Sequence, residues 1–304
     1  MIIYLTNHAH NGDIFFTLEI VKIFIKSNPN FKFFLIPSCS HYLYYNLLDS
    51  NVQLAQHPSC VWNFDNMINN DNYNDDAHPF SNKNCHSKTF IYNNDILYIN
   101  LWAVLNFNNS TCISLYNRVN FIKRMLIEIE IISDHIINFE CNNYIDLIPT
   151  LPDFNINDIL IKLKQYDKKL IFFYNLNHMS NCDIFTDNNI ILNKLIEQYN
   201  EDSIIITAKP TEIKHPCLIN MEDEFNIKPS LDGKNLIINS IVANNCNHVY
   251  FKNTGGCYFI LNKTNIQNSN NVIYHYFGFN HYYDIIVKEF GLNCILENYE
   301  NYIL

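Results

Sequence analysis

Positive charge is scarce in this chain. Its 304 residues hold 20 Lys and Arg against 30 Asp and Glu, a net charge of −10, and Arg118 and Arg124 are the only arginines. A nucleic-acid binder needs a basic face to neutralise phosphates, so that class is disfavoured. Glycine (6) and proline (9) are also few, which excludes collagen-like and low-complexity chains. No apolar run approaches the roughly 18 residues of a membrane span; the longest are Phe31–Pro37 and Leu170–Tyr174. The amino terminus has no basic segment ahead of an apolar one and meets Asn7, His8 and His10 almost at once, so no export signal is expected. The ten cysteines run from Cys39 to Cys294 without a CxxC pair or a tight cluster. They read as free thiols of a cytoplasmic protein rather than a disulfide framework.

Apolar material is plentiful. Hydrophobic residues make up 48% of the chain and aromatics 14%, enough for a large core, and the length suggests two domains. The 51 asparagines, set beside the near absence of arginine, reflect an AT-rich coding sequence. Asn is therefore a weak turn signal here.

The apolar pattern predicts β-α-β order twice. Ile2–Leu5 reads as a buried strand, Asp13 to Ile25 as a helix, Phe31–Ile36 as a second strand and His41–Asp49 as a second helix. Residues 63–88 are polar and aperiodic and read as a surface insertion. Strand character returns at Thr89–Tyr92 and Ile96–Leu101, and a long helix is expected from Ser114 to Phe139. Pro149 and Pro152 then mark a hinge, because each fixes φ and breaks helical pairing. Beyond it, helices are predicted at Ile156–Tyr166, Asn188–Tyr199, Leu236–Asn244, from Thr254 onward and at His281–Phe290. Strands are predicted at Lys169–Tyr174, Ser203–Thr207, Cys217–Met221, His248–Phe251 and Asn271–Tyr276. The alternation makes the chain α/β with parallel sheets, divided into residues 1–148 and 149–304.

Ligands of open α/β sheets bind beyond the carboxyl ends of the strands, and three turns there carry suggestive residues. In the first, Asn7 to Asp13, Gly12 permits a tight turn, and Asp13 is either a helix cap or a general base. His8 and His10 lack a third ligand nearby, so no metal site is expected. In the second, Tyr174 to His178, Asn177 and His178 are either turn residues or partners for phosphate and sugar hydroxyls; a His178–Cys182 metal pair is weak. In the third, Phe251 to Gly256, Thr254-Gly255-Gly256 follows a strand and opens an apolar-periodic stretch. Small residues at a helix start expose N–H groups to an anion, so this turn is either structural or a diphosphate cradle. It matches neither the Walker A nor the GxGxxG pattern. Lys209, in Thr207-Ala208-Lys209-Pro210, is a surface residue or a phosphate partner. Glu222, in Glu222-Asp223-Glu224, belongs to a solvated acidic run or binds ribose hydroxyls. No G-x-S-x-G elbow or Cys/His pair supports a hydrolase.

His10-Asn11-Gly12-Asp13, between a strand and a helix, resembles the H-x-G-D motif of the heptosyltransferase-like GT-B glycosyltransferases. Leu236–Leu261 resembles the donor-binding block of that family, with Asn253 at the place of its acidic residue before Thr-Gly. The resemblance implies two Rossmann-like domains facing each other across a cleft, the N-terminal one on the acceptor side and the C-terminal one holding a nucleotide-sugar donor. It further implies an inverting, metal-independent and cofactor-free transfer to a glycan or glycoconjugate hydroxyl, in polysaccharide or glycoconjugate synthesis. Asp13 would be the base; Gly12, Asn177, His178, Lys209, Glu222, Thr254, Gly255 and Gly256 would hold the donor. A homodimer stays open. The rival readings are a catalytically silent GT-B-like binding or assembly protein, and a sugar-nucleotide epimerase or hydrolase of the same shape.

Overall fold

A computed structural model of the chain describes residues 1–7, 11–37, 39–55, 89–106, 114–176, 187–230 and 232–299. His8, His10, Asn177, His178, Cys182 and the 63–88 insertion fall outside the described residues. The chain divides into two compact units, Met1–Leu147 and Ile148–Leu304.

The first unit is built on strands β1 (Ile2–Asn7), β2 (Lys32–Pro37), β3 (Val52–Leu54), β4 (Phe90–Asn93) and β5 (Ile96–Asn100). Their order is β3-β2-β1-β5-β4. The pairs β1–β2, β2–β3 and β1–β5 are parallel, while β4 closes the edge antiparallel to β5. Asn94 (φ 49°) and Asp95 (φ 61°) form the two-residue turn of that hairpin. Both are left-handed, which Asn and Asp tolerate and the strand twist favours.

Helix α1 (Asn11–Ser27) crosses from β1 to β2 and buries Ile14, Phe15, Leu18, Ile20 and Phe24. Helix α2 (Leu101–Asn106) follows β5 directly, and α3 (Leu115–Ser133) comes next. Two expectations are corrected here. His41–Leu47 is a 3-10 segment rather than an α-helix. Helix α3 stops at Ser133, not Phe139, because Asp134 turns left-handed (φ 54°) and its N–H caps Glu130 O. Arg118, only 2% exposed, lies over the Phe16 ring at 4.6 Å and donates to Phe16 O at 3.3 Å, joining α3 to α1.

The second unit contains α4 (Asn157–Lys164), β6 (Lys169–Phe173), α5 (Asn188–Tyr199), β7 (Ser203–Thr207), β8 (Leu218–Asn220), α6 (Met221–Phe225) and α7 (Lys234–Ala243). It continues with β9 (His248–Lys252), α8 (Lys263–Gln267), β10 (Ile273–Phe277), α9 (Asn280–Ile285) and β11 (Cys294–Leu296). A π segment, Ile286–Phe290, prolongs α9. The sheet order β11-β10-β9-β6-β7-β8 is parallel throughout. Counted from β6 this is the 3-2-1-4-5-6 order of the Rossmann fold, whose direction reverses between β6 and β9. Helices on both faces explain the continuous apolar runs: every residue of β7 is buried, and Ile171, Phe172 and Phe173 are fully so.

One predicted element fails. Thr254 does not begin an α-helix: the chain makes a turn, a single 3-10 segment (Cys257–Ile260), and only then α8. Asn262 breaks the run by capping α8, its side chain accepting from Asn265 N. Strand β11 and helix α6 escape the sequence pattern because they span three and five residues.

Candidate functional site

Each sheet has one place where strand order reverses, and ligands of open α/β sheets bind beyond the carboxyl ends at such a place. In the first unit this lies between β1 and β5. Asn7, the last residue of β1, donates from Nδ2 to Thr17 Oγ1 at 3.1 Å, which fixes the strand end against α1. Thr17 donates on to Ile14 O at 3.0 Å, and the buried Tyr44 hydroxyl sits 3.4 Å from Thr17 Oγ1. Burial pushes the Tyr44 phenol well above its usual range, so it stays protonated. The network sets the path into α1. Gly12 is buried and Asp13 half-buried. Asp13 lies in the first turn of α1 rather than at its cap, because the helix already begins at Asn11. A carboxylate there is favoured by the helix dipole.

In the second unit the switch lies between β6 and β9, and hydrogen bonds tie three strand-end residues and the first residue of α5 together. Asn175 follows β6; its Oδ1 accepts from Lys209 N at 2.8 Å and its Nδ2 donates to Lys209 O at 2.9 Å. One buried amide thus grips both polar groups of the Lys209 backbone just beyond β7. Asn188, at the start of α5, donates to Asn175 O at 3.1 Å. Lys252, the last residue of β9 and 6% exposed, donates from Nζ to Asn188 Oδ1 at 2.6 Å. Asn175 and Lys252 fall within the second and third of the turns marked by the sequence, which does not show the bonds they make. A lysine ending a strand at the carboxyl edge was the available signal; its burial was not visible.

The Thr254-Gly255-Gly256 turn packs directly on the end of β6. Thr254 is 2% exposed, and its hydroxyl donates to Cys257 Sγ at 2.8 Å while accepting from Cys257 N at 3.3 Å. Its side chain therefore holds the turn. Cys257 Sγ reaches Tyr174 O at 3.9 Å. A Cβ on Gly256 would fall 2.6 Å from Leu176 Cδ1, so a larger residue there would push that methyl aside. Gly255 and Gly256 are half-buried. Among the described residues, no group accepts from the N–H of either one. Asn253, just before Thr254, accepts from the Tyr258 hydroxyl.

The acidic run after β8 separates into distinct roles. Asp223 N is capped by Asn220 Oδ1 at 2.8 Å. Glu224 pairs with Lys162 at 2.6 Å and accepts from Tyr166 at 3.1 Å; the lysine holds its carboxyl below the usual range. Glu222 makes no ion pair among the described residues and stands at the carboxyl edge, two strands out from the switch. The structure thus links Lys209, Lys252 and the 254–256 turn around β6 and β9. No hydrogen bond or ion pair among the described residues brings Glu222 to that group. Gly12 and Asp13 belong to the other unit. Among the described residues, no three of His, Cys, Asp or Glu gather as metal ligands, and no helix is long and apolar enough to cross a membrane.

No family model matches the chain, and no curated protein matches it. Its likenesses are among solved structures. It is similar to a glycosyl transferase family 9 protein from Veillonella parvula DSM 2008, at 9% identity and TM-score 0.42, over 90% of this chain and 80% of that one. It is also similar to E. coli heptosyltransferase WaaC with ADP, at 9% identity and TM-score 0.40, over 91% and 87% of the two chains. The same enzyme with ADP-2-deoxy-2-fluoro heptose gives 9% identity and TM-score 0.45 over 98% and 93%. The strand order of each unit defines its fold independently of these likenesses.

Proposed function

We propose that the chain is a GT-B glycosyltransferase that moves a sugar from a nucleotide-sugar donor to a hydroxyl acceptor with inversion and without a bound metal. The observation that carries this reading is the second unit's switch point. The unpaired N–H groups of Gly255 and Gly256 lie in one turn there, against the end of β6. Backbone N–H groups beside lysines suit a diphosphate, whose charge grows as the sugar leaves.

In this reading the acceptor oxygen attacks the anomeric carbon as Asp13 takes its proton, and the bond to the donor's diphosphate breaks. The leaving nucleoside diphosphate is held by Gly255 and Gly256, with Lys209 and Lys252 supplying positive charge. Thr254 contributes through the shape of the turn. Asn177 and His178 would extend the donor pocket from the end of β6, and Glu222 would take ribose hydroxyls. Gly12 lets the backbone at the start of α1 come close to the donor.

The test is transfer of labelled sugar from a panel of UDP-, GDP- and ADP-sugars into a glycan acceptor pool, with EDTA present. The proposal predicts transfer by the wild type and a loss of at least about a hundredfold in Asp13→Asn with donor binding kept. Binding without any transfer or donor loss would favour the silent-protein reading. The buried, inward-turned Thr254 hydroxyl and the Asn253–Tyr258 contact give that reading its specific support. Donor loss with no acceptor present, matching the rate with acceptor, would overturn transfer in favour of hydrolysis or epimerisation.

A further inference from the structure

Helix α3 carries an apolar stripe on its outer side. Ile127 is 59% exposed and Ile131 75% exposed, whereas Ile122, Met125 and Ile129 on the opposite side are buried. Four exposed charges border this stripe: Lys123, Arg124, Glu128 and Glu130. None of the four forms an ion pair among the described residues. Arg124 and Glu128 are four apart on one helix yet remain unpaired. Arg124 Nε instead donates to Asn120 O at 3.4 Å.

The charges are ordered along and around the helix. At 3.6 residues per turn, Lys123 and Glu130 fall on one flank of Ile127, and Arg124 and Glu128 on the other. On each flank the basic residue lies toward the helix start and the acidic one toward its end. The two pairs are centred on nearly the same level, beside Leu126 and Ile127.

We infer that this face binds the same face of a second copy of the chain, with the two α3 helices antiparallel about a two-fold axis near Ile127. A two-fold across the helix axes sets each flank against the same flank of the partner and reverses its direction. Lys123 of one copy then meets Glu130 of the other, and Arg124 meets Glu128, each contact occurring twice. Ile127 lies against its symmetry mate at the centre. Ile131 lies toward the stem of the opposing Arg124. A parallel pairing would instead bring like charges together, so the pattern selects one direction as well as one partner. The inference uses only the first unit and is independent of the proposed chemistry.

Sedimentation of the full chain tests it with two charge-reversed variants. One is Lys123→Glu with Arg124→Glu, whose face is wholly acidic. The other is Glu128→Lys with Glu130→Lys, whose face is wholly basic. The wild type should be a dimer whose dissociation constant rises with salt. Each variant alone should be monomeric, with a dissociation constant raised by at least about tenfold. An equimolar mixture of the two should recover a heterodimer. All the altered side chains are exposed, so circular dichroism should be unchanged. A monomeric wild type, a dimer indifferent to both reversals, or a mixture that stays monomeric would each overturn the inference.

Discussion

Gly256→Ala is the sharpest probe of the second unit's switch point. The new methyl would lie 2.6 Å from Leu176 Cδ1 and 3.4 Å from Leu236 Cδ2. Ordinary carbon contacts sit near 3.5–4.0 Å, so the Leu176 methyl must withdraw by about 1 Å. Leu176 is 7% exposed and lies in the turn that ends β6, so it cannot swing into solvent without uncovering apolar surface. Overpacking of this kind costs about 1–3 kcal/mol. For a unit of this size, about 2 kcal/mol lowers the melting temperature by roughly 4–8 °C.

The partner variant separates strain from other causes. Leu176→Ala alone opens a void and should cost about 2–3 kcal/mol. In the double variant the new methyl at 256 enters that void, so the combined loss should fall short of the sum by at least about 1 kcal/mol. Urea unfolding of the wild type and the three variants measures this. A neutral Gly256→Ala, or strictly additive losses, would refute the claim that the two turns meet through this glycine.

Three further outcomes follow from the geometry. Asn175→Ala removes both bonds between a buried amide and the Lys209 backbone; it should cost about 1–2 kcal/mol in urea unfolding, and a loss below about 0.5 kcal/mol would count against the clamp. The buried Tyr274 hydroxyl has no hydrogen-bond partner among the described residues, so Tyr274→Phe should leave stability unchanged or raise it by about 1 kcal/mol; a clear loss would reveal a partner such as bound water. Burial, then the neighbouring His275 ring 3.0 Å away, then Lys169 hold His248 down at about 4, from an ordinary 6.5. The unfolded chain therefore takes up a proton near 6.5 that the folded chain refuses until about 4. Stability is full above the upper value and declines as pH falls toward the lower one. His248→Gln should remove about 1 kcal/mol of that decline after allowing for solvent at the partly exposed ring; an unchanged pH slope would contradict this.

The architecture was legible because buried parallel strands are short apolar runs. Lys169–Tyr174 and Ser203–Thr207 stand out as such, and both are interior strands of a sheet in which most of their residues are buried. The start of α1 at Gly12-Asp13 and the turn at Thr254–Gly256 were legible as places, since each follows a strand and breaks its pattern. Their internal roles were not. The inward hydroxyl of Thr254 depends on Cys257 and on the approach of Tyr174, 83 residues earlier than Cys257. The glycine at 256 answers to Leu176. Lys252 looks like any charged residue closing a strand until α5 is laid beside it. The helix expected from Thr254 onward failed because apolar spacing alone does not register the Asn262 cap that divides the run. Likewise the sequence carries no sign of which flank of α3 each charge borders until the buried side is known.

In the proposed function the second unit's switch point holds a nucleoside diphosphate through the backbone of the 255–256 turn. Calorimetric titration of the full chain with nucleoside, nucleoside monophosphate and nucleoside diphosphate of each base addresses it directly. Gly255→Glu serves as the control, since a carboxylate at the half-buried turn repels an anion. At least one diphosphate should bind, at least about tenfold more weakly when one phosphate is removed and again in Gly255→Glu, with Asp13→Asn indistinguishable from wild type. Binding that is indifferent to phosphate number and to Gly255→Glu, or no binding of any diphosphate, would contradict it.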